Sequence, residues 1–343
     1  MASVFGTDGY DTITPYGVSP GVTNKPTDAD DRIWGFDGND ILDGGPGRDL
    51  LWGGPGDEIY YLLNGVDGIM EKAGEGIDKV FTTSSYALTS HVENLQLVGS
   101  ASINGVGNSL DNEIIGNNWA NIIDGGAGND TLFGEGGNDI YYVDSILDKI
   151  VEDANKGVDE VRTSNTHVLS NHVENLRLMG SISIRGTGNS LDNKITGNRA
   201  INRLEGRAGK DTLLGEGGDD TLKGGLDNDT LTGGSGADHF QFFSPDGSID
   251  TITDFKWWEG DKISVFRAGF NLPPGRGSLL RGPLSLRHFR IGAAAVDGDD
   301  YFIYNAGTGA LSYDADGVGG QAQVQFAQLA TGLPLISSDI VVL

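Results

Sequence analysis

GRAGKDTLL, GEGGDDTLK, GGLDNDTLT and GGSGADHFQ follow one another over residues 206–241 of this 343-residue chain. Each of these segments has glycine in the first place, aspartate in the sixth and a large apolar residue in the eighth. A period of nine matches neither the turn of an α-helix nor the heptad of a coiled coil. Side chains alternate along a strand, so the eighth residue points inward when its neighbours point outward. Each repeat is therefore predicted to form one tight turn and one short strand.

The glycines and aspartates together suit the binding of a hard cation. Glycine adopts positive φ without strain and lets backbone carbonyl oxygens come close to an ion. Ca²⁺ takes about six to eight oxygen ligands, which loop carbonyls and one carboxylate per repeat can supply. The pattern Gly-Gly-x-Gly-x-Asp-x-U-x, in which U is a large apolar residue, is typical of calcium-binding parallel β-helices. The repeats therefore predict calcium sites in the turns.

On these residues the chain resembles the RTX (repeat-in-toxin, hemolysin-type calcium-binding) family. The resemblance implies an all-β fold: a right-handed parallel β-roll or β-helix solenoid with calcium-binding turns, closed by a C-terminal β cap. It also implies that two repeats complete one coil, so that Asp211 stacks with Asp229 and Asp220 with Asp238. Two bare carboxylates about 5 Å apart repel by roughly 3 kcal/mol, so the roll is expected to open without a cation.

The same nonapeptide recurs at residues 35–61 and 125–142, with Glu58 replacing the aspartate of the sixth place. Degenerate copies near the N-terminus put Asp11 and Asp31 in that place. We expect several Ca²⁺ ions as the cofactor. The predicted carboxylate ligands are Asp40, Asp49, Glu58, Asp130, Asp139, Asp211, Asp220, Asp229 and Asp238, and the predicted carbonyl ligands are those of Gly45, Gly47, Gly126, Gly128, Gly209, Gly218 and Gly225.

Two pairs of repeats keep the period of nine but lose the acidic ligand. They read GNSLDNEII-GNNWANIID and GNSLDNKIT-GNRAINRLE, which place Asn112, Asn121, Asn193 and Asn202 in the sixth position. We interpret them as coils closed by a ladder of neutral amides, with at most a weak half-site where Asn112 stacks over Asp130.

A larger duplication contains these runs. HVENLQL begins at His91 and HVENLRL at His172, and Glu58 precedes Asp139 by the same 81 residues. Since 81 is nine times nine, the duplication keeps the register of the coil. The stretches between the runs contain short β-branched segments, which predict further strands. We expect an N-terminal segment at 1–34, a duplicated RTX β-roll at 35–238, and a cap with a secretion signal at 239–343.

Composition restricts the class of protein. The chain has 55 Gly, no Cys and a net charge of −26, and 37% of its residues are hydrophobic. This hydrophobic fraction argues against a disordered acidic chain, while the charge disfavours a nucleic-acid partner. No apolar stretch reaches the length of a membrane span, and the first residues lack the basic and apolar parts of a signal peptide.

The C-terminal region is rich in aromatic residues, which we interpret as the packing of a β cap. Residues 339–343, DIVVL, are similar to the uncleaved type I secretion signal of RTX proteins. The resemblance implies an ABC exporter of the type I system as partner and a secreted, extracellular location. Extracellular calcium modules bind at about 10⁻⁴ to 10⁻³ M, which agrees with that location.

We expect no enzymatic activity. GVSPG around Ser19 matches a nucleophile elbow but lies among prolines, and no His-Glu-x-x-His zinc motif is present. The expected function is calcium-driven folding of a secreted matrix, surface or adhesion protein. The alternative is a carbohydrate-active protein, either a polysaccharide-binding module or a lyase or epimerase with its site on a β-helix face. Tyr141, Lys149, Arg162 and Arg177 are candidates for such a site, although their spacing does not single them out.

Overall fold

A computed structural model describes residues 1–64, 66–272 and 281–343, and in these residues the protein is almost entirely β-strand. The described helices are two single 3₁₀ turns, Leu286–His288 and Ser337–Asp339. A helix with the length and hydropathy of a membrane span does not occur among the described residues. The chain forms two compact units, Met1–Arg162 and Thr163–Leu343, here called the N-terminal and C-terminal units.

Each repeat forms one short strand, as the sequence predicts. In Thr212–Leu214 the middle residue, Leu213, is fully buried, while both neighbours are partly exposed. Leu213 pairs in parallel register with Leu231, and Leu204 pairs with Leu222, so one coil takes 18 residues. Strands that follow one another in sequence therefore belong to different sheets. The predicted all-β parallel solenoid is confirmed for each unit.

The N-terminal unit has three rows of strands, parallel throughout except for the last strand of the first row. The first row is Lys149–Val151, Thr131–Phe133, Glu113–Ile115, Asn94–Leu97, Lys79–Thr82, Ile59–Leu62, Ile41–Asp43, Thr12–Thr14 and Gly17–Val18. The second is Ser3–Phe5, Arg32–Trp34, Leu50–Trp52 and Gly68–Met70, and the third is Tyr86–Ala87, Gly105–Val106, Ile122–Asp124 and Ile140–Val143. A further strand, Glu160–Thr163, lies at the end of this unit.

The C-terminal unit has two rows. The first is Asn175–Leu178, Lys194–Thr196, Thr212–Leu214, Thr230–Thr232, Asp250–Ile252, Val324–Gln328, Ala310–Tyr313, Phe302–Asn305 and Phe289–Ile291. The second is His167–Val168, Arg185–Thr187, Arg203–Arg207, Thr221–Gly225, His239–Phe242, Lys262–Val265, Ile340–Val342 and Gly282–Pro283. Ala310–Tyr313 is antiparallel to both of its neighbours, which marks the change from coil to cap.

Stacked apolar side chains form the interior of the coils, and aromatic side chains form the interior of the cap. Phe270 is fully buried and meets Phe302, Tyr313 and Phe326 at ring-centroid distances of 5.8, 5.2 and 5.2 Å. Phe326 also packs edge-on against Phe242 of the last repeat strand, 5.0 Å away. The aromatic cluster thus joins the final coil to the cap.

Candidate calcium sites

The first glycine of each repeat leaves room for oxygen atoms to converge. A Cβ on Gly215 would lie 2.4 Å from Oδ2 of Asp220 and 2.3 Å from the carbonyl oxygen of Gly233, one coil further along. A Cβ on Gly206 would meet Oδ2 of Asp211 at 2.1 Å. No other residue type fits this position, because its Cβ would occupy the space between a carboxylate and a carbonyl. The turns are therefore lined with oxygen.

In the second and fourth places of the nonapeptide, the backbone turns with positive φ. The seven glycines with predicted carbonyl ligands all have positive φ, and the values are 81° for Gly45, 148° for Gly47, 77° for Gly126, 146° for Gly128, 103° for Gly209, 102° for Gly218 and 130° for Gly225. Glu135 and Glu216 take positive φ in the second place despite carrying side chains. In this turn geometry the glycine lies against the preceding coil: a Cβ on Gly209 would be 2.4 Å from the carbonyl oxygen of Leu191.

One oxygen of each predicted aspartate ligand accepts a backbone N–H, whereas neither side-chain oxygen of Glu58 does. Oδ1 of Asp229 accepts the backbone N–H of Asp211 at 2.8 Å, and Oδ1 of Asp238 accepts that of Asp220 at 2.9 Å. These are the pairs, 18 residues apart, that the resemblance implies. The hydrogen bonds orient each carboxylate and leave its second oxygen pointing into the turn.

The second oxygen of every predicted acidic ligand is buried and has no hydrogen-bond partner. The residues are Asp40, Asp49, Glu58, Asp130, Asp139, Asp211, Asp220, Asp229 and Asp238, and both side-chain oxygens of Glu58 lack a partner. Among the described residues, Glu71 and Asp316 are the further cases of a buried carboxylate oxygen without a partner. A buried oxygen that accepts no hydrogen bond is costly, and coordination to a cation removes the cost.

Burial raises the pKa of these carboxyl groups, and neighbouring carboxylates raise it further. The pKa is raised to about 6 for Asp40, Asp49, Asp130 and Asp238, to about 7 for Asp139, Asp211 and Asp229, to about 8 for Asp220 and to about 10 for Glu58. Without a cation, the carboxyl groups of Asp220 and Glu58, whose pKa values are the highest, therefore hold protons at neutral pH. Binding of Ca²⁺ to the carboxylates would release those protons.

The asparagine coils satisfy their polar atoms internally. Oδ1 of Asn193 accepts the N–H of Asn189 at 2.7 Å, and its Nδ2 donates to the carbonyls of Val173 and Glu174 at 3.3 and 3.2 Å. The amide nitrogen thus takes the place that a cation would take in an acidic coil. Asn112 stacks over Asp130 as expected, its N–H donating to Oδ1 of Asp130 at 2.8 Å.

The two N-terminal copies are also satisfied without a cation. Oδ2 of Asp11 accepts both the N–H and the hydroxyl of Thr7, at 2.6 and 2.9 Å. Oδ2 of Asp31 accepts the equivalent pair from Thr27, at 2.6 and 2.8 Å. Threonine in the second place therefore separates these copies from those whose carboxylate oxygens lack partners.

The structure adds acidic residues that the sequence analysis did not include. Each accepts the backbone N–H of a predicted ligand one coil earlier, and they are Asp67, Asp78, Asp148, Asp159, Asp250 and Asp261. In all six cases Ile or Val stands two residues after the aspartate. These segments therefore keep the Asp-x-U part of the repeat, although they lack its pattern of glycines. The short Asp-x-U pattern is the sequence signal from which these acidic residues could have been predicted.

Within the N-terminal unit, the structure does not bring Tyr141 and Lys149 together. Tyr141 is fully buried and donates its hydroxyl to Glu152, whereas Lys149 is exposed on another row of strands. The guanidinium of Arg162 contacts Glu160 and the hydroxyl of Tyr142. Arg177 lies in the C-terminal unit.

The donor set fits Ca²⁺. Carboxylates with an oxygen that accepts no hydrogen bond lie beside backbone carbonyls, and the sequence contains no cysteine. This is the hard oxygen environment that the ion prefers. The carbonyl and carboxylate ligands named above would hold it.

Comparison with known proteins agrees with this chemistry. The family model described as RTX calcium-binding nonapeptide repeat (4 copies) matches residues 27–51, 34–69, 106–142, 187–222 and 214–240. Endo-1,3-1,4-beta-glycanase ExsH of Rhizobium meliloti (strain 1021) is 41% identical over 75 residues, which are 22% of this chain and 14% of that protein.

Among solved structures, the solution structure of the AlgE6R3 subunit from the Azotobacter vinelandii mannuronan C5-epimerase is similar to part of the chain. It shares 26% sequence identity, covers 44% of this chain and 78% of its own, and has a TM-score of 0.29. The chain spans only 14% of the length of the curated relative that it matches, the glycanase. The matched segments, which carry the oxygen-lined turns, are RTX calcium-binding nonapeptide repeats.

Proposed function

We propose that this protein is secreted and that extracellular calcium completes its folding, as part of a matrix, surface or adhesion assembly. The nine acidic residues with a buried carboxylate oxygen that accepts no hydrogen bond carry this proposal. Each of them is a position where the folded chain is less stable until a cation binds. The function proposed is binding coupled to folding, without catalysis.

Charge supports the coupling. The chain carries a net charge of −26, and its buried carboxylates lie in columns one coil apart. Repulsion within the columns weakens the compact state at low calcium. A site at one hundred times its dissociation constant adds about 2.7 kcal/mol, so several sites filled together control whether the chain folds. Low calcium would keep the chain unfolded for export, and extracellular calcium would fold it.

The C-terminal segment supports the order of these events. Ile340–Val342 forms a parallel strand beside Lys262–Val265, and Ile340 and Val342 are fully buried. Asp339 is buried as well and pairs with Lys262 at 3.0 Å. If this segment is the signal that a type I exporter reads, recognition has to precede folding. Calcium-dependent folding outside the cell provides that order.

A calcium titration of the chelator-treated protein tests the proposal. We expect a cooperative gain of β-sheet circular dichroism at submillimolar to millimolar calcium, and no such gain with magnesium, which prefers a smaller octahedral site. A protein that is fully folded in chelator and binds no calcium would contradict the proposal, since the repeats would then be a scaffold only.

A second candidate function is the binding of an acidic polysaccharide. On the outer face of the second row of the C-terminal unit, Arg185 and Arg203 are exposed and in register on neighbouring strands. Lys223 and Arg207 extend this basic face, with Glu205 as the acid that pairs with Lys223 at 2.6 Å. Such a concentration of positive charge is unusual on so acidic a chain. Its chemistry matches a polymer that carries carboxylates.

A cavity beside the basic face would give such a polymer a place to bind. Its volume is about 310 Å³, and its lining residues include the basic Arg207 and Lys223, the aromatic Phe242 and Phe243, and the acidic Glu205, Asp246 and Asp250. Aromatic rings next to cationic groups suit the apolar faces and carboxylates of uronic acids. The relative named a glycanase, which is 41% identical to this chain over 75 residues, is the second support for this candidate.

Co-sedimentation with an insoluble polyuronate and with a neutral β-glucan, in calcium and in chelator, tests the second candidate. We expect retention on the polyuronate that Arg185→Ala with Arg203→Ala weakens. Arg48→Ala, which removes an exposed arginine of the N-terminal unit, is the matched control. Equal retention of both variants would contradict a role for the basic face.

A further inference from the structure

A cluster of three carboxylates lies where the first run of repeats ends. Glu58, Glu71 and Asp78 each place an oxygen within 4.8 Å of the others. Glu58 and Asp78 are each 1% exposed. Glu58 belongs to a nonapeptide, but Glu71 and Asp78 come from the following coil, outside the repeats. The cluster therefore differs from the turn sites in where its ligands originate and in how many of them are charged.

Several oxygens of this cluster are buried without a hydrogen-bond partner. They are both side-chain oxygens of Glu58 and Oε2 of Glu71. Gly53 faces the same space, where a Cβ would lie 2.4 Å from Oε1 of Glu71 and 2.7 Å from Cγ of Glu58. A buried glutamate with two free oxygens beside two further carboxylates requires a cation or protons, since like charges at this distance repel strongly.

A tyrosine holds the cluster in place. Tyr60 lies fully buried at the inward place of its repeat, where other repeats have leucine, and its hydroxyl donates to Oε1 of Glu71. The N–H of Gly53 donates to the same oxygen at 3.2 Å. These two bonds fix the carboxylate of Glu71 and leave Oε2 directed away from them. Tyr60 is thus a positioning residue.

The duplication contains a second copy of the arrangement. Asp139, Glu152 and Asp159 place one oxygen each within 4.8 Å of one another, 81 residues after their counterparts. Tyr141 donates its hydroxyl to Glu152, and Oδ2 of Asp139 is buried without a partner. Both clusters lie in the N-terminal unit. The duplication thus keeps three carboxylates, with Asp139 in place of Glu58, together with the tyrosine and a glycine, Gly134, where a Cβ would lie 2.5 Å from Oδ2 of Asp139.

We propose that each cluster is a separate cation site, with Glu58, Glu71 and Asp78 as the charged ligands of the first and Asp139, Glu152 and Asp159 as those of the second. Three carboxylates in one buried site raise affinity for calcium and favour ions of higher charge, because affinity at oxygen sites follows the number of charged ligands. These two sites fill first, and trivalent lanthanides bind them more tightly than calcium does. This inference rests on the proposed calcium function and specifies which sites initiate folding.

Terbium(III) luminescence of the full chain, excited through tyrosine, tests the assignment, because a tyrosine beside the ion sensitises its emission. We expect two Tb³⁺ ions to bind before the others and calcium to displace them. Glu71→Gln and Glu152→Gln keep the acceptor of the tyrosine hydroxyl and remove one charge. Each should weaken one tight site by at least about tenfold, whereas Asp211→Asn, at a turn site, should leave the tight pair unchanged.

Tyr60→Phe provides a test that does not depend on ligand loss. It removes the hydroxyl, so the first ions should still bind by calorimetry but give less tyrosine-sensitised emission. Two outcomes overturn the proposal. In the first, the variants Glu71→Gln and Glu152→Gln retain both tight sites; in the second, Tyr60→Phe leaves the sensitised emission unchanged. If one of these outcomes is observed but calcium still folds the protein, the assignment of the cation sites fails and the proposed function stands. If calcium does not fold the protein, the assignment and the proposed function both fail.

Discussion

Asp220→Asn should change stability in opposite directions with and without calcium. Asp220 is fully buried; its Oδ1 accepts the N–H of Asn202 at 2.7 Å and its Oδ2 has no partner. Asparagine keeps the acceptor and the shape but removes the charge. It also copies the residue that neighbouring coils use without calcium, Asn202 itself. The substitution therefore isolates the carboxylate's role as a ligand from its role in the turn.

The magnitude follows from the carboxyl group's pKa, which burial and Asp238 raise from 3.8 to about 8. Because the folded pKa exceeds the unfolded one, the destabilisation is absent at low pH and grows as pH rises above the unfolded value. At pH 7, keeping the proton on the folded chain costs about 4 kcal/mol. An amide nitrogen without full partners costs about 1–3 kcal/mol, so a net gain of about 1–3 kcal/mol remains in chelator.

In calcium, Asp220→Asn should lower the free energy of unfolding instead of raising it. Loss of one ligand carboxylate removes up to about 2.7 kcal/mol when calcium is at one hundred times the dissociation constant. Urea unfolding followed by far-UV circular dichroism measures both effects, with an osmolyte added so that the calcium-free fold is populated. Asp297→Asn is the matched control, since Asp297 is exposed and outside the repeats. Two results would refute this reasoning. One is that Asp220→Asn lowers stability equally in calcium and in chelator. The other is that Asp297→Asn changes stability in the same way as Asp220→Asn.

Three further changes give measurable outcomes. Lowering the pH from 8 to 5 should stabilise the calcium-free fold and weaken calcium binding, because protons occupy carboxylates whose folded pKa is raised, as at Asp220; urea unfolding in chelator and calorimetry at both pH values check this. Asn193→Asp should destabilise the chain in chelator by about 1–3 kcal/mol, because a carboxylate would face the carbonyls to which the amide now donates; its thermal midpoint, compared with Asn202→Asp, measures the loss. Phe270→Ala should cost about 3–5 kcal/mol and abolish near-UV circular dichroism of the cap, whereas Trp258→Ala at a 63% exposed position should change stability little.

The repeat determined most of what could be predicted. Its period of nine predicts the strands. The large apolar residue in its eighth place predicts the core, as at Leu213 and Leu231. The sixth place predicted the nine acidic ligands, and the structure shows that each of these nine has a buried oxygen without a hydrogen-bond partner. These features are local, because a turn and a strand of nine residues repeat the same contacts. Whether calcium occupies these turns stays a prediction.

Contacts between coils of unequal length could not be read from the repeat. Asp78 follows Glu58 by 20 residues and Asp261 follows Asp238 by 23, because loops lengthen the coil there. The sequence does contain one hint of the carboxylate clusters. Tyr60 and Tyr141 replace leucine in an inward place, and a buried hydroxyl needs a hydrogen-bond partner. Glu71 and Glu152 are those partners.

A crystal structure of the calcium-loaded protein, with anomalous scattering to identify the ions, tests the central claim most directly. We expect Ca²⁺ about 2.3–2.6 Å from the free oxygens of Asp211, Asp220, Asp229 and Asp238 and of their counterparts in the other two runs. The asparagine coils should hold no ion at full occupancy. Ions confined to the exposed surface, with the buried carboxylate oxygens bonded to water or protein, would contradict it.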